Sequence, residues 1–251
     1  AGSVGMLHTT PPAEGGGPVP TASTVECASD ATAPTTLPDV EDVCGATLSP
    51  TGGSPYKHSL FLEDFSTAVT TGATQAPGVW YTDRYAPAGF VSPVVFDGDD
   101  RLKHSIDAAD GANNRPGGFG GSFYNTQGRK YDLGTATDYM EIKLYIPSSW
   151  ETSNKRMAGF WATAFDASDA ISGYPIVEFT SDDGNPRFQY YETGVGYWVD
   201  LGLPTGFTYN SWITLRIGVL PNGEFFASAG DITYNSVTSS GDASVKLGNV
   251  I

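Results

Sequence analysis

The sequence predicts an all-β protein, an antiparallel β-sandwich of jelly-roll form preceded by a short, disulfide-stapled N-terminal β module. Three observations predict it. Apolar and polar residues alternate with period two over several short runs, the mark of half-buried strands. Those runs follow closely on one another without helical patterns between them, and 31 Gly and 17 Pro punctuate the 251 residues. Finally, the first 55 residues hold no Phe, Trp, Tyr, Lys or Arg, so that all 13 Phe, 13 Tyr, 5 Trp and 13 bases lie from Tyr56 onward. That break divides a thin leader from a body with the material for a core.

The leader has two parts. Residues 1–22 include Thr10-Pro11-Pro12 and Gly15-Gly16-Gly17-Pro18, which read as an extended, semi-stiff linker. Residues 23–55 read as a partial β module, with short strands at Ser23–Cys27 and around Ala46-Thr47-Leu48. Its Cys27 and Cys44 are the two cysteines of the chain. Pairing them would be worth about 3 kcal/mol in the chain-entropy model, and a segment with so little apolar mass needs a staple. Two free thiols or a metal pair are the alternatives. The disulfide implies an oxidising, extracellular compartment.

The body, residues 56–251, carries the strand signals. Tyr139–Ile146 alternates, with Met140, Ile142, Leu144 and Ile146 on one face, and Pro147 ends it. Ala158–Phe165 is a second strand. Tyr174–Thr180 and Arg187–Tyr191 flank a hairpin at Asp182-Asp183-Gly184-Asn185, and Gly196–Leu201 follows. Trp212–Val219 turns Ile213, Leu215, Ile217 and Val219 inward. It returns through Asn222-Gly223, a strong hairpin signal, into Glu224–Ala229. The terminal Ser244–Ile251 reads as a strand that stops while still apolar, as in a piece of a larger protein whose open edge invites strand donation.

Two resemblances can be placed on these residues. Thr24-Val25-Glu26-Cys27, then Pro38-Asp39-Val40-Glu41-Asp42-Val43-Cys44-Gly45, is similar to the HYR-like repeats of large bacterial surface proteins. The later cysteine-containing half of the repeat is absent, which implies a truncated spacer. In the body, Asn210–Arg216, the following Pro221-Asn222-Gly223-Glu224 and Ala229-Gly230-Asp231 resemble the late hairpin of the concanavalin A-like (laminin-G-like) jelly rolls. Phe61–Phe65 resembles their opening strand, and Lys246–Ile251 the closing strand near it. That superfamily includes glycosidases, lyases, lectins and peptide-binding modules, so fold alone does not select a function.

The chemistry is read from the side chains. The jelly-roll glucanases carry Glu-x-Asp-x-x-Glu on one strand, which sets two carboxylates about 5 Å apart; no such run occurs here. Glu178 and Glu141 are the carboxylates that a shared face would bring together; otherwise they are solvent-facing strand carboxylates or partners of Lys143 and Arg187. The Arg-x-Glu-x-Arg and Gln-x-His strands of jelly-roll lyases are also missing. Arg101, Lys103 and His104, with Arg129 and Lys130, are either ordinary surface bases or a set that neutralises an anionic sugar. For an enzyme, Glu178, Glu141, His104 and Tyr124 would be the catalytic candidates. Asp97, Asp99 and Asp100 are either turn residues or an oxygen-rich Ca²⁺ loop.

Aromatics beside hydrogen-bonding groups give the positive signal. Trp80, Tyr81 and Arg84, then Tyr124 and Arg129, then Trp198 in its Gly-rich setting, suit a sugar. A flat ring stacks on C–H faces while polar neighbours satisfy hydroxyls. Core packing is the competing role for each ring.

The formal net charge of −15 argues against nucleic-acid binding, which needs bases to neutralise phosphates. It also argues against anionic membranes, and no run approaches the roughly 20 apolar residues of a spanning helix. The expectation is a secreted bacterial surface module that binds a polysaccharide or glycan without catalysis, with Ca²⁺ as the cofactor the sequence allows. A segment of an extracellular fibre, joined by β-strands to copies of itself or to neighbouring domains, is the second expectation. A polysaccharide lyase or glycoside hydrolase is the third.

Overall fold

The computed structural model describes residues 63–83, 89–105, 128–220, 222–236 and 244–250, with the backbone of three short strands nearer the N-terminus. The chain divides into two units, Ala1–Glu63 and Asp64–Ile251. In the first, β1 (Ala13–Glu14), β2 (Val40–Glu41) and β3 (Thr47–Leu48) form a small antiparallel sheet, with Val40 between Glu14 and Leu48. β1 falls within the stretch read as linker. Cys27, Cys44 and the strand expected at Ser23–Cys27 lie outside the described residues.

The second unit is an antiparallel β-sandwich. Its strands are β4 (Thr71–Gly72), β5 (Trp80–Asp83), β6 (Gly89–Phe96), β7 (Asp99–Ser105), β8 (Gly128–Thr137), β9 (Tyr139–Ile146) and β10 (Arg156–Phe165). They continue with β11 (Ile171–Gly173), β12 (Ile176–Thr180), β13 (Arg187–Glu192), β14 (Tyr197–Gly202), β15 (Ser211–Val219), β16 (Phe225–Ala229), β17 (Ile232–Asn235) and β18 (Lys246–Val250). The large sheet runs β14-β13-β12-β10-β18-β8-β5-β4, with β11 against β10. The smaller sheet runs β17-β16-β15-β9, and β6 and β7 form a separate hairpin. All the pairings are antiparallel except β4 with β5.

The core lies between the two larger sheets. From one side come Phe160, Ala162, Val177, Phe179, Phe188, Tyr190 and Leu247; from the other come Met140, Ile146, Leu215, Ile217, Phe225 and Ala227. The alternation expected for β9 and β15 is observed: Leu215 and Ile217 are fully buried, and Ile142, Leu144 and Ile213 pack against the cluster. Phe179 gathers Trp150, Phe188, Phe207 and Tyr209 around it at ring separations of 5.3–6.3 Å. Such ring pairs add about 0.5–1.5 kcal/mol each beyond the area they bury.

Several local expectations are revised. Residues 63–65 form no strand; Asp64 accepts the Ser66 amide and the Phe65 ring leans on Trp80. The terminal strand β18 is not an open edge, because it is hydrogen-bonded to β10 on one side and β8 on the other. Asp97 and Gly98, both with positive φ, make the tight turn of the β6–β7 hairpin. That backbone matches the strand twist, and Asp-Gly is a favoured pair for it. One end of this hairpin sets Phe90 against Trp80 of the large sheet. Its tip sets Phe96 against Tyr145 and Trp212 of the smaller one.

Candidate functional site

Strand β12 is buried along its whole length. Val177 and Phe179 enter the core, so Ile176, Glu178 and Thr180 point from the opposite face of the large sheet. A buried glutamate there needs partners, and register supplies them. Glu178 lies opposite Gln189 of β13, which lies opposite Asp200 of β14; Tyr191 lies opposite Trp198. On the other side Glu178 faces Gly159 of β10, and Arg156 enters the same face beside Thr180.

The side chains connect. Arg156 donates through Nε to Glu178 Oε1 at 2.6 Å and through Nη2 to Oε2 at 2.7 Å, a bidentate pair. Gln189 Nε2 donates to the same Oε1 at 2.6 Å. The Arg156 guanidinium lies 4.5 Å from the centroid of the Trp198 ring, whose other neighbour is Tyr191 at 5.2 Å. Arg187 donates to Gln189 Oε1 and pairs with Asp182 at 2.8 Å and Asp200 at 3.6 Å. Glu178 and Gln189 are buried, whereas Arg156, Trp198 and Tyr191 are half-buried and Asp200 is exposed. The result is a polar floor with an aromatic and charged rim toward β14.

Gly159 makes the close strand approach possible. A Cβ there would sit 2.0 Å from the Val177 carbonyl oxygen and 2.4 Å from Glu178 Cα. No rotamer relieves a backbone clash, so glycine is required beneath the Arg156–Glu178 pair.

Glu141 and Glu178 do not share a face. Glu141 stands on β9 of the smaller sheet, on the side away from the core, opposite Arg216. It accepts hydrogen bonds from Tyr139 Oη at 2.6 Å and Arg216 Nε at 2.8 Å. The Tyr139 bond, aided by Arg216, holds its carboxyl below the usual range although partial burial opposes this. Its expected partner Lys143 and the expected Glu178 partner Arg187 are thus replaced by Arg216 and Arg156.

The cationic candidates separate as well. Arg101 pairs with Asp99 at 2.6 Å and stacks 4.8 Å from the Trp212 ring, on the smaller sheet. Lys103 is exposed on β7, and His104 meets the Phe90 ring edge-on. Arg129 donates to Thr82 Oγ1 and lies over Phe90, its charge disfavoured by burial. Trp80 packs among Phe65, Phe90 and Tyr131, while Tyr81 is buried. Arg84 and Tyr124 lie outside the described residues.

The aspartate loop is committed to local bonds. Asp97 accepts the Trp212 indole N–H at 3.0 Å. Asp99 accepts from Arg101 and from the Asp100 amide, and the Arg101 bond is the larger cause of its lowered pKa. Among the described residues, no group of three or more His, Cys, Asp or Glu side chains stands ready to hold a metal ion.

Among the described residues, Trp198 alone of the expected sugar-binding set stands in the polar cluster on β12–β14. Of its companions, Arg156, Gln189, Tyr191 and Asp200 were not singled out in the sequence, and Arg187 was named only as a partner of Glu178. The signal was present: Arg187, Gln189 and Tyr191 alternate, and pairing β13 with β12 through the 182–185 turn places all three on the face of Glu178, with Gln189 opposite it.

Residues 17–60 match the model of the HYR-like domain with 4 cysteines. Two cysteines, Cys27 and Cys44, occur in this sequence. The match indicates an adhesion-type module of the kind found in cell-surface proteins. No match is found among curated proteins. Among the described residues, no helix is long and apolar enough to cross a membrane.

Proposed function

We propose that the protein is a secreted bacterial surface module whose sandwich domain binds a glycan, without cleaving it, on the β12–β14 face. The observation that carries this reading is the set Trp198, Tyr191, Arg156, Gln189 and Asp200 on one face. It offers rings for sugar C–H faces and both donors and acceptors for hydroxyls. Glu178 is engaged by three hydrogen bonds, which suits a positioning role better than proton transfer. The HYR-like leader is consistent with a spacer that presents such a domain. The test is a titration panel of plant, algal and host polysaccharides. Millimolar or tighter binding without reducing-sugar or unsaturated product is expected; failure of every polysaccharide at millimolar concentration would end the reading.

A fibre segment joined through β-strands is the second reading, and β9 now favours it rather than β18. β9 has eight regular residues at the end of the smaller sheet and pairs with β15 without a bulge, so its outer edge offers a template for addition. Light scattering across a concentration series decides: growth in mass supports it, and a strict monomer at high concentration contradicts it.

A further inference from the structure

Resting on the glycan-binding reading, we infer that the β12–β14 face is built for a neutral glycan and selects against acidic ones. The argument is a balance of charge. Arg156 and Arg187 are the two bases in the sequences of β10, β12, β13 and β14. Arg156 is matched by Glu178 in a bidentate pair, and Arg187 stands between Asp182 and Asp200. Three carboxylates thus face two guanidiniums. Among the described residues of these four strands, a uronate or sulfate would meet no unmatched cation and would stand beside surplus negative charge. The whole-chain charge of −15 adds a long-range field of the same sign. The next base along this face, Lys246 of β18, is paired with Asp169; Lys130 of β8 lies beyond β18 and has a partner of its own.

A neutral hexose meets the opposite situation. Arg156 uses Nε and Nη2 on Glu178, leaving the N–H groups of Nη1 as donors. Asp200, exposed beside Gln189, supplies an acceptor. A hydroxyl can donate to one and accept from the other. Glu178 therefore does two things: it fixes the guanidinium plane over Trp198 and cancels the charge that an acidic sugar would seek. Of the bases singled out in the sequence for an anionic sugar, Arg101 and Arg129 are engaged elsewhere, and Lys103 and His104 stand on β7 of the separate β6–β7 hairpin.

The test compares neutral polysaccharides (xyloglucan, mixed-linkage glucan, mannan) with acidic ones (polygalacturonate, alginate, chondroitin sulfate) by affinity electrophoresis and calorimetry. It uses the full chain at low and at about 0.15 M salt, where screening reaches about 8 Å. A neutral polymer should bind with affinity changing less than about twofold between the salts, because no ion pair forms with the ligand. Acidic polymers should bind at least about tenfold more weakly, a difference of about 1.4 kcal/mol. Glu178→Gln and, with no buried group altered, Asp200→Asn should each raise affinity for polygalacturonate several-fold and make it salt-sensitive. Tighter wild-type binding of an acidic polymer, or no gain in either folded variant, overturns the neutral-glycan inference while leaving glycan binding intact. Absence of binding to both classes overturns the glycan reading itself.

Discussion

At the scale of single residues, the Arg156–Glu178 pair sets the character of the site. A carboxylate this far from water is tolerated because a guanidinium and an amide hold both its oxygens. Arg156→Ala would leave that charge buried and unmatched. Removing one partner of a buried pair costs about 3–5 kcal/mol, and partial exposure of Arg156 points to the lower end. The Arg156→Ala/Glu178→Ala double variant should be more stable than Arg156→Ala alone. Urea midpoints of the three proteins check this; a loss below about 1 kcal/mol for Arg156→Ala would show that the pair is incidental. Glu141 offers a pH-dependent counterpart. Hydrogen bonds from Tyr139 and Arg216 lower its folded-state pKa, so its contribution is complete above the unfolded value and is lost as pH falls through the folded one. Below about pH 4.3, the ordinary glutamate value, the wild type should lose stability faster than Glu141→Gln. Parallel urea titrations from pH 6 to pH 3 would contradict the assignment.

At the scale of elements, two glycines answer different demands. Gly159 stands against backbone, so Gly159→Ala must move β10 from β12 and should cost more than about 2 kcal/mol. Gly218 lies beneath the Phe226 ring, which also stacks on Tyr139 at 6.2 Å. A flexible side chain can swing aside, so Gly218→Ala should cost about 1 kcal/mol. Denaturant midpoints that reverse this order would contradict the packing described. The same contrast explains what was legible in the sequence. β9, β15 and the Asn222-Gly223 turn were readable because one face of each strand enters the core and the other meets solvent. β6 and β7 were not, since they pack on rings from two sheets and keep no strict alternation. The site on β12–β14 was largely hidden for a related reason. β12 is buried on both faces, so Ile176, Glu178 and Thr180 carry no solvent-facing pattern. Its makers come from four strands that only the register joins.

At the scale of the whole molecule, the core and the proposed glycan site lie on opposite faces of the large sheet. Phe188→Ala on the core face should cost about 3–5 kcal/mol and leave ligand affinity in the folded protein unchanged, as melting and titration of one preparation would show. Trp198 and Trp212 allow the sharper separation. Each lies beside an arginine, over Arg156 on the large sheet and beside Arg101 on the smaller, so composition does not distinguish them. The most direct measurement is therefore calorimetric titration of a neutral polysaccharide ligand into wild type, Trp198→Ala and Trp212→Ala, each first shown to be folded. The β12–β14 site predicts at least about a tenfold loss for Trp198→Ala, about 1.4 kcal/mol, with Trp212→Ala near wild type. Loss confined to Trp212→Ala would place recognition on the other sheet and contradict the account.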